Sequence, residues 1–381
     1  MRIAIVGRGL IGSAAARHLA EAGHEVVLIG PSEPADYASH TGVFGSHYDE
    51  GRITRGLDRM PFWSEVSRAS IARYRDLEAA TGVSFFTEVG TLIAGPEGTA
   101  GVTDVGEVAA RNSIVCTRLD HADLHKHFPF FHFDPATIGY FEKTQAGYIS
   151  PRNLVRAQGI ASVKAGCQII DAEVAGYDED ATGVTVHMGT ERLRADRILV
   201  AAGGFTNGLL ADALPLKVYA RTVAMFEIDA EEADRLKGQP SLIYLGPNEE
   251  DPYLLPPIRY PDGKTYLKLG GDVVDTELNT QKARIDWFRS GGSRQLGRTL
   301  TDHIRARMPG LVIKSVHVKP CVTTYTPTRH PIIDLLSDRV AVAVGGNGKG
   351  AKNSDELGRL AGEAVLGSVN PLLALKASLV C

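Results

Sequence analysis

Gly7-Arg8-Gly9-Leu10-Ile11-Gly12 is the pattern with the most specific chemistry in the chain. Gly7 permits a tight turn, Gly9 lets backbone approach a pyrophosphate, and Gly12 lets a helix pack closely on a strand. The free N–H groups that follow, at Leu10 and Ile11, open a helix whose positive dipole end faces phosphates. A dinucleotide site is the expectation. The adenosine end is atypical, because Gly30-Pro31-Ser32-Glu33 stands where an acidic residue usually takes the ribose hydroxyls. Either Glu33 reaches back, or backbone and Ser32 hold the ribose. No arginine stands there for a 2'-phosphate, so NADP gains nothing, and the glycine pattern alone does not separate NAD from FAD.

The elements that must position these residues are legible in the hydrophobic pattern. Residues 2–6 and 25–29 are continuous apolar runs, as strands buried on both faces should be, and 13–22 is a small-residue helix between them. This is a βαβ opening. Residues 168–174, 197–202 and 339–344 look like later strands of the same lobe, with a helix at 351–365 closing the chain on it. Residues 265–269 and 315–318 alternate polar and apolar, which suits a mainly antiparallel second sheet. The expectation is an α/β fold: a discontinuous Rossmann-like nucleotide domain (1–84, 149–215 and 318–381) and a substrate domain (85–148 and 216–317). Residues 61–80 predict one amphipathic helix with Trp63 and Tyr74 in the core.

Bulk properties exclude several classes. A chain of 381 residues has ample capacity for two lobes, and its net charge of −4 with scattered basic residues advertises neither a nucleic-acid nor a polybasic membrane surface. No apolar run is long enough to span a bilayer. The first strand begins at Arg2, which leaves no room for a leader ahead of it, so a cytoplasmic location is expected. Cys116, Cys167, Cys321 and Cys381 are far apart and show no metal-ligand pairing. His121, His125, His127 and His132 lie in a proline-broken segment without a carboxylate helix pattern, so no metal is expected. Their companions Phe128, Phe130, Phe131 and Phe133 are expected to pack the join between lobes.

Further motifs carry a resemblance. They are Ser46-His47 leading to Arg52-Ile53-Thr54-Arg55, Ile198-Leu199-Val200-Ala201-Ala202-Gly203, Leu267-Lys268-Leu269-Gly270 and Cys321-Val322-Thr323-Thr324-Tyr325-Thr326. His330-Pro331-Ile332-Ile333-Asp334 and Gly345-Gly346-Asn347-Gly348-Lys349-Gly350-Ala351-Lys352 complete the set. With the glycine turn, their order and spacing resemble the monomeric sarcosine oxidase branch of the D-amino-acid-oxidase-like flavoproteins over essentially the whole chain.

That resemblance implies FAD, tethered by a thioether from Cys321 to the flavin 8-methyl carbon; by composition alone Cys321 is equally a buried structural cysteine. It implies that Arg55 and Lys352 grip a substrate carboxylate, a guanidinium fork and an ammonium fixing the substrate's C–H over flavin N5. Their positive field would also favour the neutral amine from which hydride departs. Lys268 matches a lysine that speeds reduction of oxygen. Gly346, Gly348, Lys349, Gly350 and Lys352 would wrap the flavin edge. Ser46, Arg52, Val174, Ala202 and Gly203 are carried over as cofactor contacts, Arg52 also at the reacting centre. The implied activity is oxidation of a carboxylate-bearing amine to an imine that hydrolyses, with O2 reduced to H2O2, in a monomer or small homo-oligomer. Alternatives are a dehydrogenase or demethylase with another acceptor, a non-catalytic flavin-binding subunit, and an NAD-dependent dehydrogenase. Lys349, Asp272 and Thr323 depart from the family pattern on the substrate side. An extra charge at Lys349 suits a more acidic or polar substrate, or pairs with Asp272.

Overall fold

The computed structural model describes residues 1–246, 252–271 and 274–378. Asp272 and Cys381 lie outside the described residues.

The apolar runs form one six-stranded sheet in the order Ile332–Leu335, Val340–Val344, Arg197–Val200, Arg2–Val6, Glu25–Ile29, Gln168–Ile170. Only the first pair is antiparallel. Successive side chains of a strand face opposite ways, and here each face has its own cover. Ile3 and Ile5 pack against the helices Leu10–Glu21 and Gly350–Val365, while Ala4 and Val6 pack against Val184 and Val186 of an antiparallel three-stranded sheet. Burial on both faces is why these strands carry no polar alternation.

The two covering helices touch through small residues. A Cβ built on Gly358 would lie 2.4 Å from Ala14 Cβ, so Gly350–Val365 can approach Leu10–Glu21 only as glycine. Arg17, Arg73 and Gln158 meet at Asp355, whose side chain is 1% exposed. That buried carboxylate joins three helices and the turn that carries Arg73.

The second large sheet has nine strands and is antiparallel except where Ser241–Tyr244 runs alongside Thr91–Pro96. Lys217–Ile228 pairs with Ser315–Tyr325 over eleven residues, Lys217 opposite Tyr325 through Glu227 opposite Ser315. The expected domain boundary at 318 therefore falls inside a single strand. Phe128, Phe131 and Phe133 are buried against Leu92, Phe226 and Leu300, inside the second lobe and not at the join between lobes. Their position follows from the chain pairing Thr137–Glu142 into that sheet.

A small three-stranded sheet joins Arg52–Thr54, Gly147–Ile149 and Phe86–Thr87. The helix expected over 61–80 is two, Pro61–Ile71 and Tyr74–Thr81, and the break turns Arg73 onto Asp355 and Glu356. Trp63 and Tyr74 are fully buried, as expected. No described helix is long and apolar enough to cross a membrane.

Candidate active site

A single cleft runs from the glycine turn to the far end of the six-stranded sheet. Gly7, Gly9, Leu10 and Ile11 line its start, and Ser46, Arg52 and Val174 its flank. Ala202, Gly203 and Cys321 follow, then Gly346, Gly348 and Gly350. Gly12 stands behind the wall: a Cβ there would meet Gly7 O at 1.9 Å, which is the close packing expected of it. Lys268, Arg55, Lys349 and Lys352 are not part of the wall.

The adenosine end explains its missing acid. A Cβ at Gly30 would come within 2.6 Å of Arg8 N, so the strand end accommodates no side chain beside the glycine turn. Glu33 does not reach back, because Arg152 holds it by two hydrogen bonds of 2.7 and 2.8 Å and Tyr37 OH by a third. Ser32 donates to Asp171. Among the described residues of the cleft wall, Glu173 is the acidic one.

Cys321 sits mid-strand, opposite Arg221, with its carbonyl accepting the Trp287 indole N–H at 2.9 Å. Arg52 Nη2 is 3.4 Å from its Sγ. Behind Arg52 lies Lys268, 0% exposed, donating to Asp49 Oδ2 at 2.6 Å and to Gly51 O. Arg52 also contacts Asp49, and Tyr260 OH donates to its other oxygen at 2.9 Å. Burial, with the Arg52 and Lys319 charges, pushes the Lys268 ammonium well below its ordinary range, and the Asp49 contact opposes that fall.

The closing loop is pinned by Asn347, in a left-handed conformation with φ 48°. Its Oδ1 accepts Thr326 N–H at 3.0 Å and its N–H donates to Thr324 O at 2.9 Å, tying the loop to the strand that carries Cys321. Beneath this loop three cations converge on Asp58. Lys349 Nζ is 2.5 Å from Oδ1, while Lys352 Nζ is 3.2 Å and Arg55 Nη2 3.7 Å from Oδ2. Lys349 thus takes Asp58 as its described partner. Burial lowers the Lys352 ammonium to about 7, with Asp58 opposing and Arg55 and Lys349 adding to the fall. Glu142 lies nearby, accepting the Gly56 and Leu57 N–H groups at 2.9 Å each.

Asp49, Asp58 and Glu142 were not singled out by motif as site residues. The signal in the sequence was a surplus of cations in the motifs, Arg52, Arg55, Lys268, Lys349 and Lys352, that burial would oblige the fold to balance.

The wall fits a flavin dinucleotide. Gly203 and Gly350 have no atom within 4 Å of a built Cβ, and at Gly9 the nearest is His47 Nδ1 at 3.9 Å, so bare backbone faces the cleft at these three points. Thr323 Oγ1, in the same wall, is buried without a hydrogen-bond partner among the described residues, as befits a group that serves a ligand.

A family model described as FAD dependent oxidoreductase (DAO) matches residues 2–364. The chain belongs to this family. It is 27% identical over 377 residues to a monomeric sarcosine oxidase of Arthrobacter sp., covering 93% of this chain and 90% of that one. An N-methyl-L-tryptophan oxidase of Salmonella arizonae is 25% identical over 370 residues, covering 95% and 94%. Among solved structures, NikD, an amino acid oxidase essential for nikkomycin biosynthesis, aligns with a TM-score of 0.77 at 18% identity, covering 98% and 96%, and shares the fold. This DAO-family chain is an FAD-dependent oxidoreductase.

Proposed function

We propose that the chain is an oxidase of N-substituted amino acids and related secondary amines, with FAD tethered through Cys321 and O2 as the electron acceptor. The observation that carries this reading is the continuity of the cleft from the glycine turn to Cys321, with the Arg55–Lys352 pair behind its closing loop. FAD, when bound, supplies the two-electron acceptor. Gly9, Leu10 and Ile11 would hold its pyrophosphate, Gly203 and Gly350 leave room along the wall, and Arg52 Nη2 stands 3.4 Å from the Cys321 sulfur. Arg55 and Lys352 orient an acid-bearing substrate and favour its neutral amine. Lys268 supplies positive charge where oxygen gains electrons.

One observation favours a second reading. Asp49 contacts both Lys268 and Arg52 and offsets their charge. That suits a dehydrogenase that hands electrons to a carrier.

An absorbance spectrum before and after acid precipitation tests the cofactor. Yellow colour that stays with the pellet supports the Cys321 tether, and colour released to the supernatant refutes it. Peroxide release with N-methyl and cyclic amino acids tests the activity. Flavin that bleaches anaerobically with these amines but reoxidises slowly in air would establish the dehydrogenase. Flavin that no amine bleaches would leave a non-catalytic subunit.

A further inference from the structure

A substrate acid held between Arg55 and Lys352 needs an oxygen within reach of both. That position is taken. Asp58 Oδ2 lies 3.2 Å from Lys352 Nζ and 3.7 Å from Arg55 Nη2, while Oδ1 holds Lys349 at 2.5 Å and accepts Met60 N–H at 3.2 Å. The Asp58 side chain is 0% exposed, Lys352 2% and Arg55 12%, whereas Lys349 is 27% exposed. The deep end of the cation group is therefore closed by the protein's own carboxylate, and only Lys349 reaches outward.

The charges agree with this placement. Three cations hold Asp58 ionised: burial alone would raise its pKa, but Lys352, Lys349 and Arg55 outweigh it and keep the group well below the usual carboxylate range. Two carboxylates cannot share one seat without a cost, since like charges at contact oppose each other. An incoming acid must displace Asp58 Oδ2 or bind beside it against repulsion. An amine without a free acid meets no such obstacle, because it brings no second carboxylate to the position Asp58 Oδ2 already holds.

We propose that Asp58 is a resident carboxylate in the seat between Arg55 and Lys352. As a specificity-determining residue, it lets the site accept N-substituted amines whose acid group is amidated or missing, alongside those bearing the free acid. This rests on the oxidase reading above for its substrates, but its charge competition is measurable without turnover.

The test is a titration of flavin absorbance in the holoenzyme at pH 6, where Lys352 is protonated, with butyrate and with butyramide. In Asp58→Asn, butyrate should bind about tenfold or more tightly than in the wild type, the scale on which one adjacent charge alters a carboxylate. Butyramide should change by less than about twofold, since it carries no charge to be repelled. Butyrate affinity that is unchanged or weaker in Asp58→Asn overturns the proposal, as does an equal gain for butyramide. Should Asp58→Asn not retain flavin, Asp58→Ser keeps an acceptor for Met60 N–H and gives the same comparison. Peroxide release from N-methyl-L-alanine and its amide is measured separately. If the titrations behave as expected while the wild type oxidises neither compound, the oxidase reading falls and the assignment of Asp58 stands.

Discussion

Lys352 sits where ionisation and burial nearly balance. With its ammonium lowered to about 7, the cation that would help hold a substrate acid is present below that value and lost as pH rises through it. The KM for acid-bearing substrates should therefore rise with pH across about 7, while that for uncharged amines follows only the ionisation of the amine; matched KM profiles check this. At Lys268, Lys268→Met should slow reoxidation by O2 about 10²-fold or more, the scale of removing one preorganised charge. Stopped-flow mixing of reduced enzyme with oxygen measures it, and an unchanged rate would move the acceptor role elsewhere. The cations Arg55, Lys268 and Lys352 were legible because they stand inside recognisable motifs. Asp49 and Asp58 were not, since a carboxylate acquires its meaning from what arrives beside it. Lys349 meets Asp58 from 291 positions away and Lys268 meets Asp49 from 219, separations that no local pattern encodes.

Among elements, the contact between the opening turn and its helix tolerates least. Gly12→Ala puts a Cβ at 1.9 Å from Gly7 O and should cost about 1–3 kcal/mol through backbone displacement, with loss of bound flavin. Thermal melting and the flavin-to-protein ratio of the purified variant test this. The helices depend similarly on Asp355. Burial would raise its pKa, but the His18 hydrogen bond and the charges of Arg17 and Arg73 hold it well below the ordinary value. Its stabilisation is thus present above the unfolded carboxylate pKa and lost as pH falls below about 4. Asp355→Ala should destabilise by about 3–5 kcal/mol, because it strands the largely buried Arg17; denaturant unfolding reads the difference. Strands buried on both faces declare themselves by continuous apolar residues, which is why the nucleotide sheet was readable. The break between Ile71 and Tyr74 was not, because its residues Ala72 and Arg73 carry no helix-stopping signal. Nor was the full length of Ser315–Tyr325, since pairing with Lys217–Ile228 rather than side-chain alternation sets its extent.

At the scale of the molecule, the two-lobed plan followed from counting separated apolar strands, and the mistaken place for the phenylalanines came from treating aromatics as a seam when they fill one lobe's interior. The chain's beginning and end also meet: Leu10–Glu21 packs on Gly350–Val365, and Arg197–Val200 lies between the first strand and Val340–Val344. This arrangement sets an order of events during synthesis. At ribosomal speeds of about 5–20 residues per second, the first helix emerges on the order of tens of seconds before the helix that covers it. In that interval its small-residue face has nothing to rest on, and the nascent chain depends on holding factors or on the intervening domain for protection. A chain terminated before Gly350 should accumulate in the insoluble fraction however well its glycine turn is formed.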